Sequence, residues 1–304
     1  MSGELALPDP ATFLSGESGT VAGKKLTVTR TAADWACNAA ALAALTGPRL
    51  DRLAATQAPR RVLVLAIYRP GSLLARAVPR LRSDRHDVRF AFGATGDPEP
   101  ALAGETAVSS LAGGGKFENL NRLLAVAPPA GDGTPASAAP PLDGFDWLVV
   151  SDDDVELAPR FLDRFVALCE RLALDVAQPA QTRRSHAAWR VTRRRPFSLA
   201  RRTDYVEIGP VTIFSRRAAA ELTPFPELRF GWGLDNHWGA LARERGWRLG
   251  ILDALPVRHE SQKVASTYTH AEAIEEGRRF LAGRPYVTAE EAQRTLSTIR
   301  RIPS

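Results

Sequence analysis

The chain has 304 residues, 44% hydrophobic and 24% charged, which suits one large globular domain with additions, or two small ones, and argues against wholesale disorder. Its net charge of +6 and pI near 9.8 are carried mostly by arginine, since Lys24, Lys25, Lys116 and Lys263 are the only lysines; the balance points to an anionic ligand without identifying one. No apolar run approaches the roughly 18–20 residues that cross a bilayer, "MSGELALPDPATF" has no leader pattern, and Cys37 and Cys169 form no Cys-x-x-Cys pair. A reducing cytoplasm is the default expectation.

Residues 1–59 read as an extension: a turn-rich start, a short strand at "KLTVT", then an alanine-rich helix around Asp34–Leu45. From Arg60 the pattern changes. "RVLVLAI" (Arg61–Ile67) is a continuous apolar run, as expected of a strand covered on both faces. A helix through Leu73–Leu81 and a strand at Asp87–Gly93 complete a βαβ unit, the start of a largely parallel mixed sheet flanked by helices. "GGGKFENLNRLLAVA" supplies a glycine loop and an amphipathic helix, and 128–144 is a low-complexity loop, expected to be mobile. "FDWLVV" is a further buried strand. After Pro159 comes a helix, then strands at "YVEIGPVTIFS" and "WRLGILDA" with a helix at about Asn236–Arg245 between them. The tail, 266–304, reads as polar and helical. The main α/β domain is placed at 60–265.

The strand "FDWLVV" runs into Asp152, Asp153 and Asp154. Residues two apart on a strand share a face, so Asp152 and Asp154 would point together with α-carbons about 6.6 Å apart, at the carboxyl end where open α/β sheets bind ligands. Such a pair is a hard oxygen site for Mg²⁺ or Mn²⁺ shared with a diphosphate. The competing reading is a solvated acidic turn capping the next helix. An EF-hand is a poor fit, because Leu157 stands where that loop needs glycine. A glycosidase pair fits poorly too, since its carboxylates flank the scissile bond.

Downstream, Gly231-Trp232-Gly233 carries a large aromatic on a flexible segment just ahead of Asp235 and a helix. An indole is a natural platform for the C–H face of a sugar, and an aspartate at a helix N-terminus is favoured as the anion a general base must be. A core tryptophan beside a capping aspartate is the plain alternative. His259 closes the next strand and could complete a mixed oxygen–nitrogen site that leans towards Mn²⁺.

The ordered trio of "DDD", "GWGLD" and a histidine about 25 residues later resembles nucleotide-sugar-dependent glycosyltransferases of the GT-A fold, a Rossmann-like α/β class. "GWGLDNHW" is similar to the corresponding segment of β-1,4-galactosyltransferases. The resemblance covers about 60–260. It implies Asp152 and Asp153 at the nucleotide, Asp154 and His259 with Asp152 at Mn²⁺ or Mg²⁺, Asp235 as base, and Trp232, Gly233 and Asn236 at the acceptor. It also implies a nucleotide-diphosphate sugar donor, a carbohydrate or other hydroxyl acceptor, and hexosyl transfer with inversion. One departure matters: Asn236 stands where that segment has a second acidic residue.

"GGGKF" lacks the upstream glycine and the Ser/Thr of a phosphate loop, but the resemblance gives Lys116 and Asn121 nucleotide contacts, and position alone suggests Tyr68 and Arg69 for the base. Thr182–Arg202 is the most basic stretch, with Trp189 and Phe197 interleaved. A solvated arginine-rich loop is the favoured reading of it; nucleic acid is not expected, and peripheral contact with an anionic membrane is the alternative. The rival functions are a sugar-phosphate nucleotidyltransferase, disfavoured by the single glycine after the first strand, and a non-catalytic basic protein binding nucleic acid or anionic lipid.

Overall fold

The computed structural model describes residues 6–15, 24–111, 113–127, 142, 144–185, 187–260 and 269–303, the side chains of 24–27 excepted. The expected low-complexity loop at 128–144 lies outside the described residues except for 142 and 144. Among the described residues no helix is long and apolar enough to cross a membrane.

Two helices come first, α1 (Lys24–Ala43) and α2 (Thr46–Thr56). "KLTVT" is therefore helical, not a strand. Its β-branched residues weakly oppose a helix, but 24–46 contains neither glycine nor proline and runs into alanines.

The expected βαβ unit follows as β1 (Arg61–Tyr68), α3 (Leu74–Leu81) and β2 (Asp87–Ala94). Next come β3 (Thr106–Val108), α4 (Lys116–Val126), β4 (Trp147–Ser151), β5 (Val155–Glu156) and α5 (Phe161–Arg171). The second half holds β6 (Val176–Gln181), β7 (Ala200–Thr203), β8 (Val211–Ser215), α6 (Arg216–Leu222), α7 (Leu234–Arg245) and β9 (Leu249–His259). The chain closes with α8 (His270–Leu281), α9 (Ala289–Ala292) and β10 (Thr295–Ile299).

The result is a mixed α/β fold with helices on both sides of one ten-stranded sheet, ordered β10-β7-β9-β6-β8-β4-β1-β2-β3, with β5 paired to β9. β4, β1, β2 and β3 are mutually parallel; β8 runs antiparallel to both β4 and β6. The period of two explains why the apolar runs are continuous. Val62, Val64 and Ala66 of β1 and Val149 of β4 face one core with α3 and α5, while Leu63, Leu65, Leu148 and Val150 face the other with α4, α6 and α7.

Three further readings change. "YVEIGPVTIFS" is a strand only from Val211; Tyr205–Pro210 is a loop that ends in a cis Gly209–Pro210 bond. β6, "VAQPAQ", went unrecognised because its glutamines and proline do not look apolar, though all six residues are buried. The tail is not wholly helical: β10 pairs antiparallel with β7 and adds an edge to the sheet.

Candidate active site

At the end of β4 the three aspartates stand in a tight turn before β5, not on one strand face, and each has a basic side chain beside it. Asp152 Oδ1 lies 2.5 Å from Lys116 Nζ, which also donates to the Ile208 carbonyl at 2.8 Å. Asp153 turns away and accepts three bonds from Arg69, from the backbone N–H (2.9 Å), Nε (3.2 Å) and Nη2 (3.0 Å). Asp154 Oδ1 lies 3.0 Å from His259 Nε2. Asp153 is thereby drawn off to Arg69, while oxygens of Asp152 and Asp154 stay within 4.8 Å of each other, beside Lys116 and His259.

His259 arrives by strand pairing. Val155 of β5 is opposite it on β9, and Glu260 N donates to the Asp154 carbonyl at 2.9 Å. Ligand atoms of Asp152, Asp154 and His259 all lie within 4.8 Å of one another. Burial works against the imidazolium, but the Asp154 hydrogen bond and the charges of Asp154, Asp152 and Glu207 outweigh it and raise the pKa. Two carboxylates and an imidazole converging at the carboxyl end of a strand are an appropriate donor set for Mn²⁺ or Mg²⁺.

The loop Tyr205–Pro210 forms the next wall. It is pinned from beneath by β6, where Gln178 Oε1 accepts from Glu207 N and Gln181 Nε2 donates to Glu207 Oε2 at 2.6 Å. A side chain at Gly209 would put its Cβ 2.6 Å from Asp152 Oδ2, so glycine there leaves the carboxylate its place. Glu207 was not foreseen from the sequence. Burial, and then the charge of Asp235, push its carboxyl up to about 7.

The segment Arg229–Asn236 makes the third wall. Its approach to the start of α4 is close enough that a Cβ on Gly115 would lie 1.9 Å from the Arg229 carbonyl oxygen. Glu276 of α8 accepts the N–H groups of Arg229, Phe230 and Gly231 at 2.7–2.9 Å. Gly233, at φ 86°, turns the chain into α7. Trp232 packs against the His270 ring at 5.6 Å between centroids.

Asp235 follows in the first turn of α7. Its Oδ2 accepts the Tyr205 hydroxyl and its Oδ1 the Asn236 N–H. Burial pushes the Asp235 carboxyl up to about 6 against the lowering effect of those bonds. Asn236 donates to the Val287 carbonyl at 2.8 Å, and its buried Oδ1 has no partner among the described residues.

These walls enclose a pocket of about 210 Å³ lined by Lys116, Asp152, His259, Trp232, Gly233, Asp235 and Asn236, all proposed from the sequence, and by Glu207, Ala188, Trp189 and Phe13–Ser15, which were not. Asp154 stands behind His259. Four expected nucleotide contacts are engaged elsewhere. Tyr68 is buried on the α3–α5 side with its hydroxyl 2.8 Å from Thr106 Oγ1. Asp153 and Arg69 hold each other, and Asn121 spends its amide on the backbone N–H and carbonyl of Phe225, both at 2.8 Å. No sequence signal separates Asn121 from a ligand contact, because its partner is 104 residues away.

Thr182–Arg202 is not simply a solvated loop; His186 lies outside the described residues. Arg201 is fully buried, its Nε 2.8 Å and Nη2 3.0 Å from the Asp253 carboxylate, with further bonds to the carbonyls of Val191 and Arg193. Buried Asp34 of α1 accepts the N–H groups of Arg183 and Arg184 at 2.7 and 3.1 Å. Helix α1 thus holds the basic segment in place.

No protein-family model matches the sequence, and no curated protein matches it. Among solved structures the chain is similar to GalNAc-T7 with UDP, GalNAc and Mn²⁺, at 11% identity and a TM-score of 0.45. That match covers 70% of this chain and 45% of the other, so the chain spans less than half the length of the protein it is similar to.

Proposed function

We propose that the chain is a metal-dependent glycosyltransferase that moves a sugar from a nucleotide-diphosphate donor to an acceptor hydroxyl with inversion. One observation carries the reading: Asp152 and His259, with Asp154 behind, line the same small pocket as Asp235 and Trp232. A cation held by Asp152, Asp154 and His259 would supply Lewis acidity towards a departing diphosphate.

The remaining chemistry belongs to the side chains. Lys116, already 2.5 Å from Asp152, adds a positive charge beside the diphosphate. Trp232 offers its face to the sugar. Asp235 accepts the proton of the acceptor hydroxyl as that oxygen bonds to the anomeric carbon; the bond from that carbon to the diphosphate oxygen breaks, and the electron pair leaves with the nucleotide. Tyr205 orients the carboxylate, and the unpartnered Asn236 Oδ1 is available to a second hydroxyl of the acceptor. The nucleotidyltransferase alternative loses support at the end of β1, where Arg69 is tied to Asp153 and no glycine-rich loop follows.

A panel of nucleotide-diphosphate sugars assayed for hydrolysis and transfer, with Mn²⁺ and with chelator, tests this reading. Turnover of at least one donor that chelator abolishes is expected. Equal turnover in chelator, or none with any donor, would remove it.

A further inference from the structure

A second cavity, of about 860 Å³, opens beside the first. Ser15 lines both, and Trp189 of the first pocket directly precedes the single turn Arg190–Thr192 that enters the second. Arg30, Arg183, Arg190, Arg193 and Arg195 line this cleft, and no carboxylate is among its described lining residues. Gathering five like charges around one space costs free energy unless an anion enters it.

Two of the guanidinium groups are held in direction by backbone carbonyls. Arg183 Nε donates to the Arg194 carbonyl at 3.1 Å, and Arg193 donates to the carbonyls of Arg183 and Ala187 at 3.2 and 3.3 Å. The backbone beneath is anchored by the two buried aspartates, Asp34 at Arg183 and Asp253 at the Arg195 N–H (2.9 Å). Asp253 in turn is matched by Arg201. Burial, then the charge of Arg201, lowers the pKa of the Arg195 guanidinium against the opposing charge of Asp253. Arg183 and Arg193, held in this way, lose little freedom when a ligand binds.

We propose that this cleft binds the phosphate of a phosphorylated acceptor, whose hydroxyl reaches Asp235 in the adjoining pocket. The assignment rests on the glycosyltransferase reading, in which Lys116 and the Asp152–Asp154–His259 cluster serve the donor diphosphate and the arginines remain for the other reactant. The volume is many times the roughly 30 Å³ share of one water, so the cleft has room for a molecule and not only an ion. A phosphate monoester, with three acceptor oxygens and nearly two charges at neutral pH, engages more guanidinium donors than a carboxylate does. The phosphate could be borne by a free metabolite or by a lipid headgroup.

Calorimetry on the full chain tests the site, with inorganic tripolyphosphate and glucose 6-phosphate as probes and glucose as the uncharged control. Arg190 is exposed and, like Arg30, has no side-chain hydrogen bond among the described residues, so Arg190→Ala and Arg30→Ala should fold normally, as thermal melting would verify. Each should weaken the phosphate probes about tenfold or more, the worth of one charge-assisted bond, and Arg190→Lys should recover part of the loss. UDP with Mn²⁺ should not displace the probes. Undiminished binding in both alanine variants, or displacement by UDP with Mn²⁺, overturns the proposal. Co-sedimentation with phosphatidic acid vesicles, lost in Arg190→Ala, would identify a lipid-borne phosphate; glucose 6-phosphate binding without such co-sedimentation would identify a free one. If no nucleotide diphosphate binds with Mn²⁺ but the probes do, and through the arginines, the glycosyltransferase reading falls and takes the acceptor role with it, leaving an anion site.

Discussion

Tyr205 donates its phenolic hydrogen to Oδ2 of Asp235, and both side chains are buried. Burial and the nearby carboxylate raise the Tyr205 pKa well above the ordinary phenol value, so it remains a donor throughout the working range. Asp235 is left as an acceptor in a place water hardly reaches.

Replacing Asp235 with Asn keeps the shape and removes the charge. Transfer should fall by roughly 10²- to 10⁴-fold, the usual worth of a general base, while nucleotide affinity measured by calorimetry stays unchanged. The wild-type rate should rise as pH passes about 6, where Asp235 ionises. Unchanged transfer in Asp235→Asn would remove the base assignment.

The same raised pKa has a consequence for stability. The folded state holds the Asp235 proton more tightly than the unfolded chain does, so this group's contribution declines as pH rises from about 4 to about 6. The span corresponds to an order-of-magnitude 3 kcal/mol. Asp235→Asn should therefore melt like wild type near pH 4 and gain on it progressively up to about pH 6. Parallel melting curves across that window would contradict the shift.

Asp154→Ala should abolish Mn²⁺ uptake, read by electron paramagnetic resonance on the protein without donor, and should leave the fold intact. Asp153→Ala should do the opposite. It removes an acceptor of three Arg69 bonds and should cost about 1–3 kcal/mol in denaturant unfolding while Mn²⁺ binding persists. Exchange of those two results would refute the division of roles between the neighbours.

Arg201→Ala should destabilise by about 3–5 kcal/mol, because it strands the Asp253 carboxylate in a fully buried position. A loss under 1 kcal/mol in denaturant titration would contradict that account.

The strands that build the floor of the site were legible because both faces are buried: β1 and β4 announce themselves as unbroken apolar runs. The convergence of Asp152, Asp154 and His259 was legible in spacing and order, although the two aspartates meet through a turn and a strand pair and not through a shared strand face. Glu207 was hidden inside a segment whose alternation suggested a strand. The arginines misled in the other direction. Whether Arg201 faces water or the core depends on Asp253, 52 positions further on, and local composition contains no record of that pairing.

Glu276 has a wider implication. One carboxylate on α8 holds three successive amides of the segment leading to Trp232, though Glu276 itself is outside the pocket. Engineering that aims to broaden which molecules the pocket accepts can therefore begin remotely: a glutamine there would slacken the tether without altering any wall residue, trading rigidity for tolerance.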